Sequence, residues 1–161
     1  MTINVGDRIP SANFKHLGAE GPADIGSTEL FASQKVAVFG LPGAYTPVCS
    51  KMHLPGFVEN SGALRAAGID KIACVSINDP FVMDAWGKEH GAEDKILMLS
   101  DSGGQFTRAL GLEVDLSDFG LGERSQRYSM LVDDGVVRQI NVEDTVLECG
   151  VSSAASMLSN S

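Results

Sequence analysis

Short apolar runs alternating with amphipathic stretches mark this chain as an α/β domain, a mixed central sheet flanked by helices. Val36-Ala37-Val38-Phe39, Ile72-Ala73-Cys74-Val75-Ser76-Ile77 and Ile96-Leu97-Met98-Leu99 are apolar and bounded by polar or turn residues, as strands covered on both faces are. Helix signals fill the gaps. Asp79 is a suitable N-cap, Pro80 suits the first helical position, and Val82, Ala85 and Trp86 recur at helical spacing before His90 and Gly91 end the segment. Ser100-Asp101-Ser102-Gly103-Gly104 leads into a second helical stretch, Gln105 to Leu110. Tyr128 to Val132 and Val136 to Val142 flank Asp133-Asp134-Gly135, a hairpin signal, and Ser152 or Ser153 opens a last helix.

That order of elements fits a thioredoxin-like fold. The 161 residues, 43% hydrophobic and 20% charged, suffice for one domain spanning 1–161 with its own core. Twelve Lys and Arg against twenty-one Asp and Glu give a net charge of -9, which argues against nucleic acid or an anionic membrane surface as partner. The N-terminus has neither a basic leader nor a long apolar stretch, and no run spans a bilayer, so a cytoplasmic location is expected. Cys49, Cys74 and Cys149 are widely separated and form no metal-ligand spacing and no Cys-x-x-Cys pair. A reducing compartment keeps them as thiols.

Cys49 ends the stretch Pro42-Gly43-Ala44-Tyr45-Thr46-Pro47-Val48-Cys49, between a strand and a segment that can be helical. At a strand-to-helix turn, backbone N–H groups and the helix dipole favour negative charge and can bring a thiol well below its usual pKa of ~8.5. The expectation is a reactive thiolate within reach of small oxidants. Cys74, inside an apolar strand run, is expected to be a buried structural thiol. Ser102-Gly103-Gly104 lacks the spacing and the following Lys-Ser or Lys-Thr of a phosphate loop.

Pro42-x-x-x-Thr46-x-x-Cys49 matches the active-site signature of the peroxiredoxins, thiol peroxidases on a thioredoxin-like fold. Gly40-Leu41-Pro42-Gly43-Ala44, Cys49 to Phe57, Ser76-Ile77-Asn78-Asp79-Pro80-Phe81 and Arg127-Tyr128-Ser129-Met130 resemble the peroxiredoxin-5 (type II) subfamily. The resemblance implies that Cys49 attacks a peroxide oxygen and becomes sulfenic acid, with no bound cofactor or metal. It assigns Thr46 hydrogen bonding to sulfur and peroxide, Arg127 a permanent positive charge on the developing oxyanion, and Pro42 the shaping and shielding of the pocket. Arg124, outside the matched block, is read as a surface residue. His53, four residues after Cys49, suggests a Cys-His pair on a helix face, but the resemblance gives it a structural place.

Two routes back to the thiol remain open. Cys149 lies near the position where some peroxiredoxin-5 members carry a resolving cysteine, which implies a Cys49–Cys149 disulfide reduced by thioredoxin. Many relatives lack that thiol and use glutathione or glutaredoxin. Family members commonly form homodimers beside the active site, where Phe119-Gly120-Leu121-Gly122 would supply apolar contacts. The alternative to an antioxidant enzyme is a peroxide sensor that relays oxidation from Cys49 to a protein partner.

Overall fold

The computed structural model describes residues 2–160. An antiparallel pair, β1 (Asn13–Gly18) and β2 (Gly21–Gly26), comes first, followed by a short helix, α1 (Ser27–Phe31). Strand β3 (Lys35–Gly40) leads through a loop into a helical segment over 47–59, whose middle is a π-helical turn (Cys49–His53) and whose end is α2 (Leu54–Glu59). Then follow α3 (Ser61–Ala66), β4 (Lys71–Ser76), α4 (Pro80–Glu89), β5 (Leu97–Ser100) and α5 (Gln105–Leu110). A small hairpin of β6 (Glu113–Asp115) and β7 (Glu123–Ser125) precedes the long hairpin β8 (Tyr128–Asp133) and β9 (Val136–Val142), and α6 (Ala154–Ser159) closes the described chain.

Among the described residues, seven strands form one sheet in the order β2-β1-β5-β4-β3-β8-β9. Neighbours β3, β4 and β5 run parallel, because helices return the chain between them, whereas β8 lies antiparallel to β3. This is the mixed, helix-flanked, thioredoxin-like sheet that the sequence predicts. The apolar runs are buried on both faces with a period of two. Val36 and Val38 join Ala73, Val75, Met130 and Val132 in one core, while Ala37 and Phe39 join Ile72 and Cys74 in the other. Cys74 is fully buried in the same core as Cys49, and burial, with the neighbouring Cys49, pushes its thiol well above the ordinary value against the opposing effect of Arg127.

Local signals were legible where they satisfy backbone groups. The Asp79 carboxylate accepts the Val82 N–H at 2.9 Å, and Ser153 caps α6 by accepting the Ser156 N–H at 3.1 Å. Asp134 and Gly135, with φ of 48° and 79°, make the two-residue turn between β8 and β9.

Gly40 ends β3 because Tyr128, its register partner on β8, packs across it: a Cβ there would stand 2.0 Å from Tyr128 Cε1. Gly40→Ala is therefore expected to destabilise the fold by about 1–3 kcal/mol through overpacking. Gly62→Ala, where a Cβ in α3 meets nothing within 4 Å, is expected to stabilise it by about 0.5–1 kcal/mol. Urea unfolding of the two variants checks the opposite signs.

Candidate active site

The site lies where two strands of opposite direction meet. Gly40 pairs with Tyr128, so the loop leaving β3 and the residue entering β8, Arg127, are brought side by side at one end of the sheet. Tyr128 faces one core, so Arg127 faces the other, where Cys49 sits. A one-residue slip in this register would turn Arg127 to the wrong face.

The loop after β3 is held at several points. Leu41 N–H continues the ladder to Val75 O, the Ala44 N–H donates to Asn78 Oδ1 at 2.9 Å, and the Thr46 hydroxyl donates to Gly43 O at 2.7 Å. Tyr45 adopts a φ of 66°, an uncommon conformation for a bulky residue, which turns the chain into the helix. Pro47 begins that helix, and the first i→i−4 bond runs from Ser50 N–H to Thr46 O. Cys49 is thus in the first turn, among the amides that a helix start leaves without intrahelical partners. The Thr46 side chain does not cap the helix: its single hydrogen is committed to Gly43, so toward a substrate its oxygen only accepts.

Arg127 Nη2 donates to Cys49 Sγ at 3.1 Å and to Val146 O at 3.0 Å, Nε donates to Val146 O at 3.2 Å, and Nη1 donates to His53 Nδ1 at 3.0 Å. Those bonds occupy four of the five guanidinium N–H groups and leave one on Nη1. Arg127 is only 2% exposed, and among the described residues no carboxylate forms an ion pair with it. A buried cation needs a compensating anion, and the group in contact that can carry negative charge is the Cys49 sulfur.

His53 differs from the Cys-His picture that its spacing suggests. The π-turn, closed by the Leu54 N–H on Cys49 O, inserts an extra residue into the helical repeat, and the imidazole meets the guanidinium. Arginine only donates, so Nδ1 accepts and Nε2 carries the hydrogen, which it donates to Ser152 O at 3.0 Å. Burial beside Phe39 and Phe57, together with the Arg127 charge, pushes His53 down to about 3, so the ring is neutral at physiological pH and is not a general base. Ser152 is fixed in turn by Glu143: Oε2 accepts the Ser152 N–H at 2.7 Å, its hydroxyl at 2.5 Å and the Gly150 N–H at 2.8 Å. Burial pushes Glu143 up, but the Ser152 hydroxyl and the surrounding N–H groups outweigh it and leave the carboxyl below its usual value. Cys149 lies in this loop as a half-buried free thiol that burial pushes up.

A cavity of about 360 Å³ opens beside the thiol, lined by one segment with Pro42, Tyr45, Thr46, Pro47 and Val48 and by another with Leu116, Phe119 and Leu121; Arg127, Val146 and Leu147 complete the lining. Arg127 is the one charged residue of that lining among the described residues. Cys49 itself is fully buried, behind the wall that Arg127 forms, where the sequence suggested an open thiol. That placement keeps bulk water from the sulfur.

Pro42, Thr46, Cys49 and Arg127 are therefore gathered at one place, with Cys149 on the neighbouring loop. Arg124 is a correction. It is half-buried rather than a free surface group, and donates from Nη1 to Pro42 O and from Nε to Leu121 O, each at 3.0 Å. Burial pushes its guanidinium down, and Cys49 is close enough to push it the other way. Sequence reading also missed Asn78, although its block, Ser76 to Phe81, was among those carrying the resemblance.

His53 predicts a pH dependence. A base held down to about 3 takes up its proton in the unfolded chain near 6.5, so stability is full above that pH and falls as pH drops toward 3. The slope approaches about 1.4 kcal/mol per pH unit. Urea unfolding between pH 6.5 and 5 should show this slope in the unaltered protein and lose it in His53→Asn, and the His53 ring should show no NMR titration between pH 5 and 8.

Comparison with known proteins agrees with this geometry. The family model described as Redoxin matches residues 4–158. Peroxiredoxin-2E, chloroplastic, of Arabidopsis thaliana is 47% identical over 148 residues, which cover 89% of this chain and 63% of that protein, so the chain spans just under two thirds of that relative. Peroxiredoxin-2B of the same plant is 44% identical over 157 residues, covering 97% of this chain and 96% of the relative. The crystal structure of reduced Prx3 in complex with H2O2 from Vibrio vulnificus has a TM-score of 0.94 at 46% identity, covering 99% of each chain. With the cysteine, threonine and arginine of the signature assembled around one cavity, the chain belongs to the redoxin family and, within it, to the peroxiredoxins.

Proposed function

We propose that this protein is a thiol peroxidase that reduces hydrogen peroxide and organic hydroperoxides at Cys49, in antioxidant defence and redox homeostasis. The observation that carries the reading is the buried Arg127 guanidinium, which lacks a carboxylate partner among the described residues and donates to Sγ at 3.1 Å. The Cys49 thiolate attacks one peroxide oxygen, the O–O bond breaks, and the sulfur becomes sulfenic acid. The departing oxygen takes the electron pair of the broken bond, then a proton, and leaves as water or an alcohol. Arg127 stabilises the charge on that oxygen with its remaining N–H, and Thr46 accepts the peroxide O–H, because its own hydrogen is held by Gly43. Pro42 shields the reacting atoms from one side of the cavity. The chemistry requires no prosthetic group.

External thiols return the sulfenic acid to the thiol. Glutathione condenses with it to a mixed disulfide and water, and a second thiol, from glutathione or glutaredoxin, releases Cys49; alternatively Cys149 condenses with it and thioredoxin reduces the disulfide. The half-buried, free Cys149 on the loop that Arg127 touches through Val146 keeps the second route in play. Tyr45, Phe119 and Leu147 form an exposed apolar rim suited to a homodimer with the site at its edge. The three free thiols suit the cytoplasm. The net charge of -9 is unsuited to a nucleic-acid partner, and among the described residues no helix is long and apolar enough to cross a membrane.

Cys49→Ser should abolish peroxide consumption while Cys74→Ser leaves it nearly intact; equal loss in both would overturn the assignment. Arg127→Gln should lower the second-order rate with hydrogen peroxide about 10²–10³-fold, as loss of an oxyanion donor does. For the return path, steady-state turnover of Cys149→Ser is decisive: loss with thioredoxin but survival with glutathione assigns resolution to Cys149, and unchanged thioredoxin turnover removes it from the cycle.

A further inference from the structure

We infer that Arg124 is a positioning residue that sets which hydroperoxides the cavity accepts, by tying its two walls together with one guanidinium. The inference rests on the peroxidase reading above and concerns substrate size. One wall is the turn over Pro42 to Thr46, and the other is the loop carrying Leu116, Phe119 and Leu121. Arg124, in the middle of β7, donates from Nη1 to the Pro42 carbonyl and from Nε to the Leu121 carbonyl, each at 3.0 Å. The fork is planar and rigid, so the two bonds fix the separation of the carbonyls as well as linking them.

Gly43 supplies an independent sign that this crossing is built into the site. A Cβ at Gly43 would stand 2.6 Å from Arg124 Nη1, so the guanidinium lies where a side chain would otherwise be. No carboxylate forms an ion pair with Arg124 among the described residues, and the guanidinium donates to one main-chain oxygen of each lining segment. The remaining ties run elsewhere. Asn78 anchors the turn to the sheet through Ala44, and the opposite loop closes on itself through Leu116 and Leu121. Arg127 meets Cys49 directly, through its own Nη2.

The walls matter differently to different substrates. Hydrogen peroxide occupies a small part of the volume of about 360 Å³ and needs Cys49, Thr46 and Arg127, whereas a bulky apolar hydroperoxide fills more of it against Pro42, Leu116, Phe119 and Leu121. Pre-set walls spare such a substrate the cost of ordering them on binding. Loss of the crossing therefore raises the KM for a bulky hydroperoxide more than it affects kcat.

The test compares cumene hydroperoxide with hydrogen peroxide in single-turnover oxidation of Cys49 and in steady state. Arg124→Met, which keeps the stem and removes the donors, should lower the ratio of the cumene hydroperoxide to the hydrogen peroxide rate constant about tenfold, the size expected for losing a charge-assisted bond. Arg124→Lys should restore little of it, since one ammonium cannot reproduce the planar fork. Gly43→Ala keeps the charge but displaces the flexible end of Arg124, and should lower the same ratio. Equal loss for both peroxides, an unchanged ratio, or full rescue by lysine overturns the inference. Failure of the unaltered protein to consume either peroxide overturns the peroxidase reading instead.

Discussion

A guanidinium buried without a carboxylate is costly unless something else carries the opposite charge. In this protein the arrangement around Arg127 answers that requirement. Two N–H groups rest on the Val146 carbonyl, one on His53 and one on Cys49. The first three N–H groups meet neutral acceptors that orient the plane, and the Cys49 sulfur is the group in contact that can offset the positive charge. The neutral state of His53 is part of the same solution: a protonated ring would present an N–H to an N–H and lose the acceptor.

Behind that first contact the supports extend to the C-terminal loop. His53 donates to Ser152 O, and Ser152 is gripped by Glu143, whose own N–H donates to the Arg127 carbonyl at 2.9 Å. The path closes on the arginine from which it starts. A side chain of the π-turn, a strand end and a loop are thereby fixed to one another, and the loop carrying Cys149 is built into the surroundings of Cys49 without a covalent link between them.

Much of the fold was readable because it rests on local rules. The central strands announce themselves as apolar runs, and the caps at Asp79 and Ser153 and the turn at Asp134-Gly135 are written in a few residues each. What escaped has a different physical origin. β1 and β2 lie toward an edge, bury few side chains, and are held by pairing rather than by an apolar pattern. The π-turn has no recognisable signal in Cys49 to His53. Arg124 looks like any charged residue on a short strand; its role appears only when folding lays it over Gly43, far away in the chain. The sulfur, threonine and arginine were found through a matched pattern of residues, whereas Asn78 and Arg124 act by holding main-chain atoms and leave a fainter mark.

The pairing of Gly40 with Tyr128 carries one more implication. Sulfur and guanidinium come from segments that leave adjoining, hydrogen-bonded strands, and the rung at which those strands meet brings the two segments together. Phe119, on the rim of the cavity, belongs to neither of those strands, so a change there does not touch the rung. An evolving lineage can therefore reshape the Phe119 side of the doorway without moving that rung, whereas a change at Tyr45, next in the chain to Thr46, disturbs the turn that leads to the sulfur.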